Sequence, residues 1–254
     1  MVYPLDFPVP AAVACFLILW AASRAGSIFG KRFEDVHDDF SIILTATLTL
    51  LGLILGFAFS MAVNRYDQRK LCEEQEANAI GTEYLRTELL PHPDGEEVRA
   101  TLRDYLAHRI QFYEARTRER ARQISAATAG LHSRLWTGVR VPSQAQPDAV
   151  RALVVSGMND VLNTQGYTQA AWWNRIPPAA WGLMAVIAVC ASILLGLYLR
   201  VRNNPVLLMV LPAIVSISFF LIADIDSPRG GLIHVKPQNL ISVAESLGRR
   251  VGTW

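Results

Sequence analysis

A run of 23 residues without a charge, Ser41 to Val63 (SIILTATLTLLGLILGFAFSMAV), limits what this chain can fold into more than any other feature. At ~1.5 Å per residue, a helix of that length crosses the ~30 Å hydrocarbon core of a bilayer. Charge follows at once in residues 64–70 (NRYDQRK), yet no Gly or Pro interrupts the chain from Ala58 to Ile80. The expectation is one long helix, in lipid for its first half and in water for its second. Thr45, Thr49, Gly52, Gly56 and Ser60 recur at steps of three or four. That spacing puts small side chains on one stripe, where another helix can approach closely. The partner helix could belong to the same subunit or to a neighbouring subunit around an axis.

Three further apolar segments accompany this one. The first covers about Val9 to Phe29 and lacks the basic start and A-x-A ending of a secretion signal, so it reads as a membrane helix. Arg24, with Lys31 and Arg32, can snorkel to the headgroups. The third, about Ala179 to Leu199, follows Trp172, Trp173, Arg175 and Trp181, residue types that suit the headgroup layer. Pro177 and Pro178 precede it, as at the first turn of a helix. Arg200 to Asn204 turn the chain, and the fourth runs from Pro205 to Ala223 with Pro212 as a kink. Composition agrees: 52% hydrophobic and 18% charged residues, with a mean hydropathy of +0.25, fit a membrane protein better than a soluble enzyme. A net charge of +2 gives no electrostatic case for nucleic acid.

The predicted fold class is therefore an all-α membrane protein: four transmembrane helices in two hairpins, with a helical polar domain between helices two and three. The boundaries are 1–63, 64–176, 177–224 and a polar tail 225–254 carrying a short amphipathic helix. Between helices one and two, Glu34, Asp35, His37, Asp38 and Asp39 form an acidic connection, and Asp38 or Asp39 suits a helix N-cap. In the polar domain, Leu71, Ala77, Ile80, Tyr84 and Leu85 suggest one apolar face, and a break follows at residues 91–95 (PHPDG). Asp94 can then cap a helix through to about Ile124 with a stripe of Leu102, Leu106, Ile110 and Tyr113. Arg116, Arg118, Arg120 and Arg122 read as a solvated basic face. Gly138 to Pro147 reads as a loop, and a third helix from Asp148 turns Val150, Leu153, Val154, Met158, Val161 and Leu162 inward. In the tail, Pro237 to Leu247 makes a helix with Leu240, Val243, Ala244 and Leu247 on one face, closed by Gly248.

An even number of spans places both termini and the polar domain on one side. Basic residues flank both sides of the membrane almost equally. The lone Cys72 in the charged segment and the lack of a secretion signal favour a cytoplasmic polar domain, in a bacterial inner membrane.

The fourth helix ends in residues 224–233 (DIDSPRGGLI). Asp224 and Asp226 oppose the negative end of the helix dipole, so something must offset them, most simply Arg229 or an arginine of the second helix. Paired carboxylates can serve acid–base work or a metal, but no His or Cys stands near except His234. Asp224, Asp226, Ser227, Pro228, Arg229 and Gly230 read as a structural turn at the membrane surface.

Residues 52–70 (GLILGFAFSMAVNRYDQRK), 76–91 (EANAIGTEYLRTELLP) and 224–235 (DIDSPRGGLIHV) resemble the bacterial bestrophin-like membrane proteins. The likeness covers about Thr47 to the C-terminal helix. The order of helix pair, polar region, helix pair and tail also resembles that of bestrophins, pentameric ion channels whose second membrane helix lines the pore. The resemblance implies that Ile54, Phe57 and Ser60 to Asn64 lie near a pore. It does not extend to the bestrophin calcium clasp, for which no matching acidic residues are present.

No nucleophile motif, phosphate-cradling loop or His/Cys metal set appears, which argues against an enzyme and implies no cofactor. The remaining classes are an oligomeric channel for small ions and a non-conducting scaffold or sensor that binds a partner through residues 64–176. A ring of subunits could gate by dewetting at Phe57, Phe59 and Met61. The absence of charge inside the spans disfavours a coupled transporter. Thr49, Gly52, Ile54, Gly56, Phe57, Ser60 and Asn64 are the candidates for lining a pore or packing against another helix, with membrane lipid and further copies of the chain as partners.

Overall fold

A computed structural model describes residues 8–29, 37–145, 148–199 and 206–251. Most of the described residues are helical, and none of them is in a strand. The helices are α1 (Pro8–Phe29), α2 (His37–Arg86), α3 (Asp94–Glu114), α4 (Arg118–Ala145), α5 (Ala149–Trp173), α6 (Pro178–Leu199), α7 (Leu207–Asp226) and α8 (Gln238–Val251), with a 3-10 turn at Thr87–Leu89. Among the described residues, four stretches are long and apolar enough to cross a membrane. Their apolar parts are α1, residues 41–63 of α2, α6 and α7. The uninterrupted run from Ser41 onward does form a single helix, α2, of 50 residues. Glu34, Asp35, Lys31, Arg32 and the turn from Arg200 to Asn204 lie outside the described residues, as do the side chains of His37, Asp38 and Asp39.

The chain divides into two compact units. One comprises residues 1–65 and 175–234; the other comprises residues 66–174 and 235–254. In the first, Leu19, Leu51, Ala188, Ala191 and Val215 form a core drawn from α1, α2, α6 and α7. Lipid tails are as apolar as these side chains, so close packing rather than water exclusion must hold such helices together. Gly26 of α1 and Gly196 of α6 show how. A Cβ on Gly26 would overlap the Ile193 carbonyl, and one on Gly196 would overlap the Ser23 carbonyl.

The second unit has a conventional hydrophobic core. Ala77, Ile80 and Tyr84 of α2 meet Leu102, Tyr105 and Leu106 of α3, Leu131, Leu135 and Val139 of α4, and Val154, Met158 and Val161 of α5. Leu240 and Leu247 of α8 join the same core.

Several local expectations fail here for identifiable reasons. The helix expected from Asp94 to Ile124 is two helices. Ala115 takes an extended conformation, and Thr117 Oγ1 accepts from Arg120 N at 3.2 Å, a cap that starts α4. The arginine run therefore straddles a break. Residues 138–145, expected as loop, continue α4 with Pro142 inside it. Proline removes one backbone hydrogen bond, but Val139 extends the stripe of Leu131 and Leu135 into the core, and burial prevails over local propensity. Asp94 sits inside the first turn of α3 and Pro93 takes the cap position, without a side-chain hydrogen bond. Gly248 lies within α8 instead of ending it. Leu71, Leu85, Val150 and Leu153 are exposed where an inward face was expected. Asp148 does cap α5, accepting from Arg151 N at 2.6 Å.

Candidate functional site

The membrane half of α2 has two unlike faces. Leu44, Leu51, Ala58 and Ala62 are buried, whereas Thr45, Thr49, Gly52, Gly56, Phe57, Ser60 and Asn64 are exposed and Ile54 is half-buried. A Cβ placed on Gly52 or Gly56 would meet nothing within 4 Å. The hydroxyls of Thr45 and Thr49 donate to the carbonyls four residues earlier, Ser41 O at 2.8 Å and Thr45 O at 2.9 Å. Phe57 is 62% exposed, with Phe59 and Met61 also open. Small groups thus lie beside bulky apolar ones on a face that no described helix covers.

At the end of α7 the structure brings Asp224, Asp226, Ser227 and Gly230 into one turn. Asp224 and Asp226 are buried. Asp224 Oδ1 accepts from Leu232 N at 2.7 Å and Oδ2 from Ile233 N at 2.8 Å. Asp226 Oδ1 accepts from Ile176 N at 3.1 Å, just ahead of α6. Ser227 Oγ accepts from Gly230 N at 3.2 Å and from Arg175 Nη2 at 3.4 Å. Backbone N–H groups therefore offset the carboxylates at a helix end whose dipole disfavours them. Gly231 admits the loop, since a Cβ there would overlap the Asp224 carbonyl. Among the described residues no set of three or more His, Cys, Asp or Glu is arranged to hold a metal.

The 66–174 unit contains a buried polar lattice that the apolar pattern of α2 obscured. Arg69, Glu73, Glu76, Ile80 and Glu83 follow steps of four and three, so they share one face of α2; Thr87 of the 3-10 turn follows, and all six are buried. Arg69 reaches the C-terminal end of α5, donating to Ala171 O at 3.4 Å and Asn174 O at 3.3 Å, where a cation meets the negative end of the helix dipole. Glu73 accepts from Asn239 Nδ2 at 2.6 Å and Leu240 N at 3.0 Å, so a side chain of α2 caps α8. Glu76 accepts from Arg109 Nε and Nη2, Tyr113 Oη at 3.2 Å and Thr168 Oγ1 at 3.1 Å. Arg109 also lies over the Phe112 ring at 4.4 Å.

These contacts bear on chemistry. Burial raises the Tyr105 and Tyr113 phenols, with the Glu76 charge adding to both, so neither ionises near neutrality. Burial lowers His132, and Arg109 lowers it further. The Cys72 thiol is raised by burial and by Glu76, which leaves it a poor nucleophile. A buried carboxylate with four donors is suited to fixing helices in place.

The domain profile described as bestrophin-like matches residues 9–240. The chain belongs to the bestrophin-like family. A search of curated proteins finds no match. The fold of this bestrophin-like chain is similar to that of a bacterial bestrophin homologue from Klebsiella pneumoniae, at 16% identity, a TM-score of 0.65, and coverage of 95% of this chain and 99% of the other. Two crystal structures of point variants of that homologue align at 14% and 12% identity, with TM-scores of 0.64 and 0.65. They cover 94% and 95% of this chain and 99% and 97% of theirs. At that identity the likeness is one of fold, and it extends over nearly the full length of this bestrophin-like membrane protein.

Proposed function

We propose that the chain assembles with copies of itself into a ring that conducts small ions, with residues 41–64 of α2 facing the axis. The observation that carries this reading is the uncovered face of α2. Its glycines have open space beside them, whereas Gly26 and Gly196 are already in close contact within the subunit. A narrow lumen lined by Ile54, Phe57 and Ser60 would dewet and so gate. Membership of the bestrophin-like family supports the same assignment, since true bestrophins are channels lined by their second membrane helix. In this reading the four spans form two hairpins, residues 64–176 make a helical domain on the cytoplasmic side of a bacterial inner membrane, and residues 225–254 return to that side. The chain has no catalytic role.

Purified protein reconstituted into liposomes tests it. The expected result is passage of small ions, a closed ring in mild detergent, and a changed conductance for Phe57→Ala. Tight vesicles together with monomeric protein would sink the channel. Crosslinking in cells that recovered a defined partner through residues 64–176 would then favour a scaffold or sensor.

A further inference from the structure

Glu83 is the one member of the α2 polar face without a hydrogen-bond donor. Both carboxylate oxygens are buried and accept no hydrogen bond, in a residue with no exposed surface. Its carboxylate lies with Arg86 Nη1 against the backbone of α5 at Gly157, where a Cβ would overlap both Oε2 and Nη1. Val154, Met158 and Val161, on the same part of α5, are fully buried. The neighbouring Glu73 and Glu76 differ sharply, since each meets at least two donors. An ionised carboxylate in such a place lacks the hydrogen bonds that make burial tolerable, and a neutral carboxylic acid does not need them to the same degree.

The charged groups that face it are few. On its own helix, Arg86 Nη1 stands 4.0 Å from Oε2, with a third of its side chain in water, too far for a hydrogen bond. On α5, Asp160 is exposed and of the same sign. The 3-10 turn contributes Thr87, whose hydroxyl donates to Tyr84 O at 2.6 Å and accepts from Arg99 Nε of α3 at 3.2 Å, so it is already engaged. Burial pushes the Glu83 pKa up to about 8; Arg86 pulls it down and Asp160 adds to the rise.

We propose that Glu83 is a proton-operated latch between α2 and α5 in the 66–174 unit. Protonated, it lies flush against Gly157 and the two helices close on each other. Ionised, it finds the missing donors only in water, since Arg86 Nη1 already shares the Gly157 contact without hydrogen-bonding it, and that contact opens. The sign follows from the two states. The free carboxyl titrates near 4.5 and the packed one higher, so the closed state is favoured by acid and weakens as pH rises through about 8. Gly157 is the matching half of the latch, because any side chain there would displace the carboxyl.

Hydrogen exchange of the full chain in mild detergent tests this, read on peptides covering 80–90 and 150–162 and corrected for the intrinsic pH dependence of exchange. Between pH 6.5 and 9.5 wild type should lose about tenfold or more in protection, as expected for a group left more than one pH unit above its pKa. Glu83→Gln, the permanently neutral isostere, should keep its pH 6.5 protection throughout. Parallel loss in both proteins, or no loss in wild type, would overturn the latch. Should Glu83→Gln fail to fold, Asp160→Asn decides on the exposed side. Removing that negative charge should move the wild-type transition to lower pH, and an unmoved midpoint refutes the proposal. Ion flux plays no part in this readout, so it stands or falls apart from the channel assignment.

Discussion

Replacing Arg109 by Met separates the charge of the buried lattice from its bulk. Met retains an unbranched apolar stem but removes two donors from Glu76 and the cation from the Phe112 face. Glu76 then keeps only the Tyr113 and Thr168 hydroxyls, and its charge has no partner among fully buried neighbours. Breaking a buried pair from one side costs ~3–5 kcal/mol because a buried charge is left uncompensated. Against a typical domain stability of ~5–15 kcal/mol this is a large share. At ~2–4 °C per kcal/mol it should lower the melting temperature by roughly 6–20 °C.

The measurement is thermal or urea unfolding of the full chain in mild detergent. Trp172 is a natural reporter, with ring centroids 5.2 Å from Phe112 and 5.5 Å from Tyr113. The decisive comparison is the double variant Glu76→Leu with Arg109→Met. With neither charge present it should be more stable than Arg109→Met alone, since well-packed apolar pairs often replace a buried ion pair at little cost. A loss below ~1 kcal/mol for Arg109→Met, or a double variant no better than the single one, would refute the account of the lattice as a mutually compensated pair.

Other consequences are shorter to state. Melting temperature should fall as pH rises from about 4.5 towards about 8, with a contribution approaching ~1.4 kcal/mol per pH unit from one retained proton, and Glu83→Gln should flatten that part of the profile. Glu73→Ala should expose α8 to limited proteolysis while leaving the core melting within ~1–3 kcal/mol of wild type, because it removes the acceptor for Leu240 N and Asn239. Gly196→Leu should destabilise the 1–65 and 175–234 unit by disrupting the close approach at Ser23, seen as loss of a monodisperse peak in detergent. Gly52→Leu adds its side chain to open space within the subunit, so the subunit should fold while its oligomeric distribution shifts; an unchanged oligomer would count against the ring.

The spans were legible because membrane crossing is written in length and lack of charge, which tertiary contacts cannot override. The polar unit was less so. The apolar face expected on α2 includes Ala77, Ile80 and Tyr84, which are buried, but assigns no role to the intervening glutamates, a residue type rarely buried. Their spacing was the available signal: Arg69, Glu73, Glu76 and Glu83 fall on the turns that also present Ile80, so a charged residue on an apolar stripe had to be paired or capping. The pairing itself spans sequence separations of 33 to Arg109 and 167 to Leu240, which no local pattern encodes. Likewise Thr117 carried a cap signal that the arginine run masked, and Val139 drew residues 138–145 into helix against their turn-forming composition.

Two sets of small residues in the membrane helices show how far sequence and structure each reach. Ser23, Gly26 and Gly196 are spent inside the subunit, where backbone meets backbone and no side chain would fit. Gly52 and Gly56 are likewise small residues one helical turn apart, yet open space lies beside them. From sequence the two sets are indistinguishable, because both satisfy the small-residue rule for close approach. Only the placement of α1, α6 and α7 separates them. A membrane helix gains nothing from glycine unless another backbone comes near, since glycine costs about 1 kcal/mol against alanine in a helix. The second set therefore makes physical sense when a helix from outside the subunit supplies the missing contact, and a further copy of the same α2 carries a stripe of the same kind.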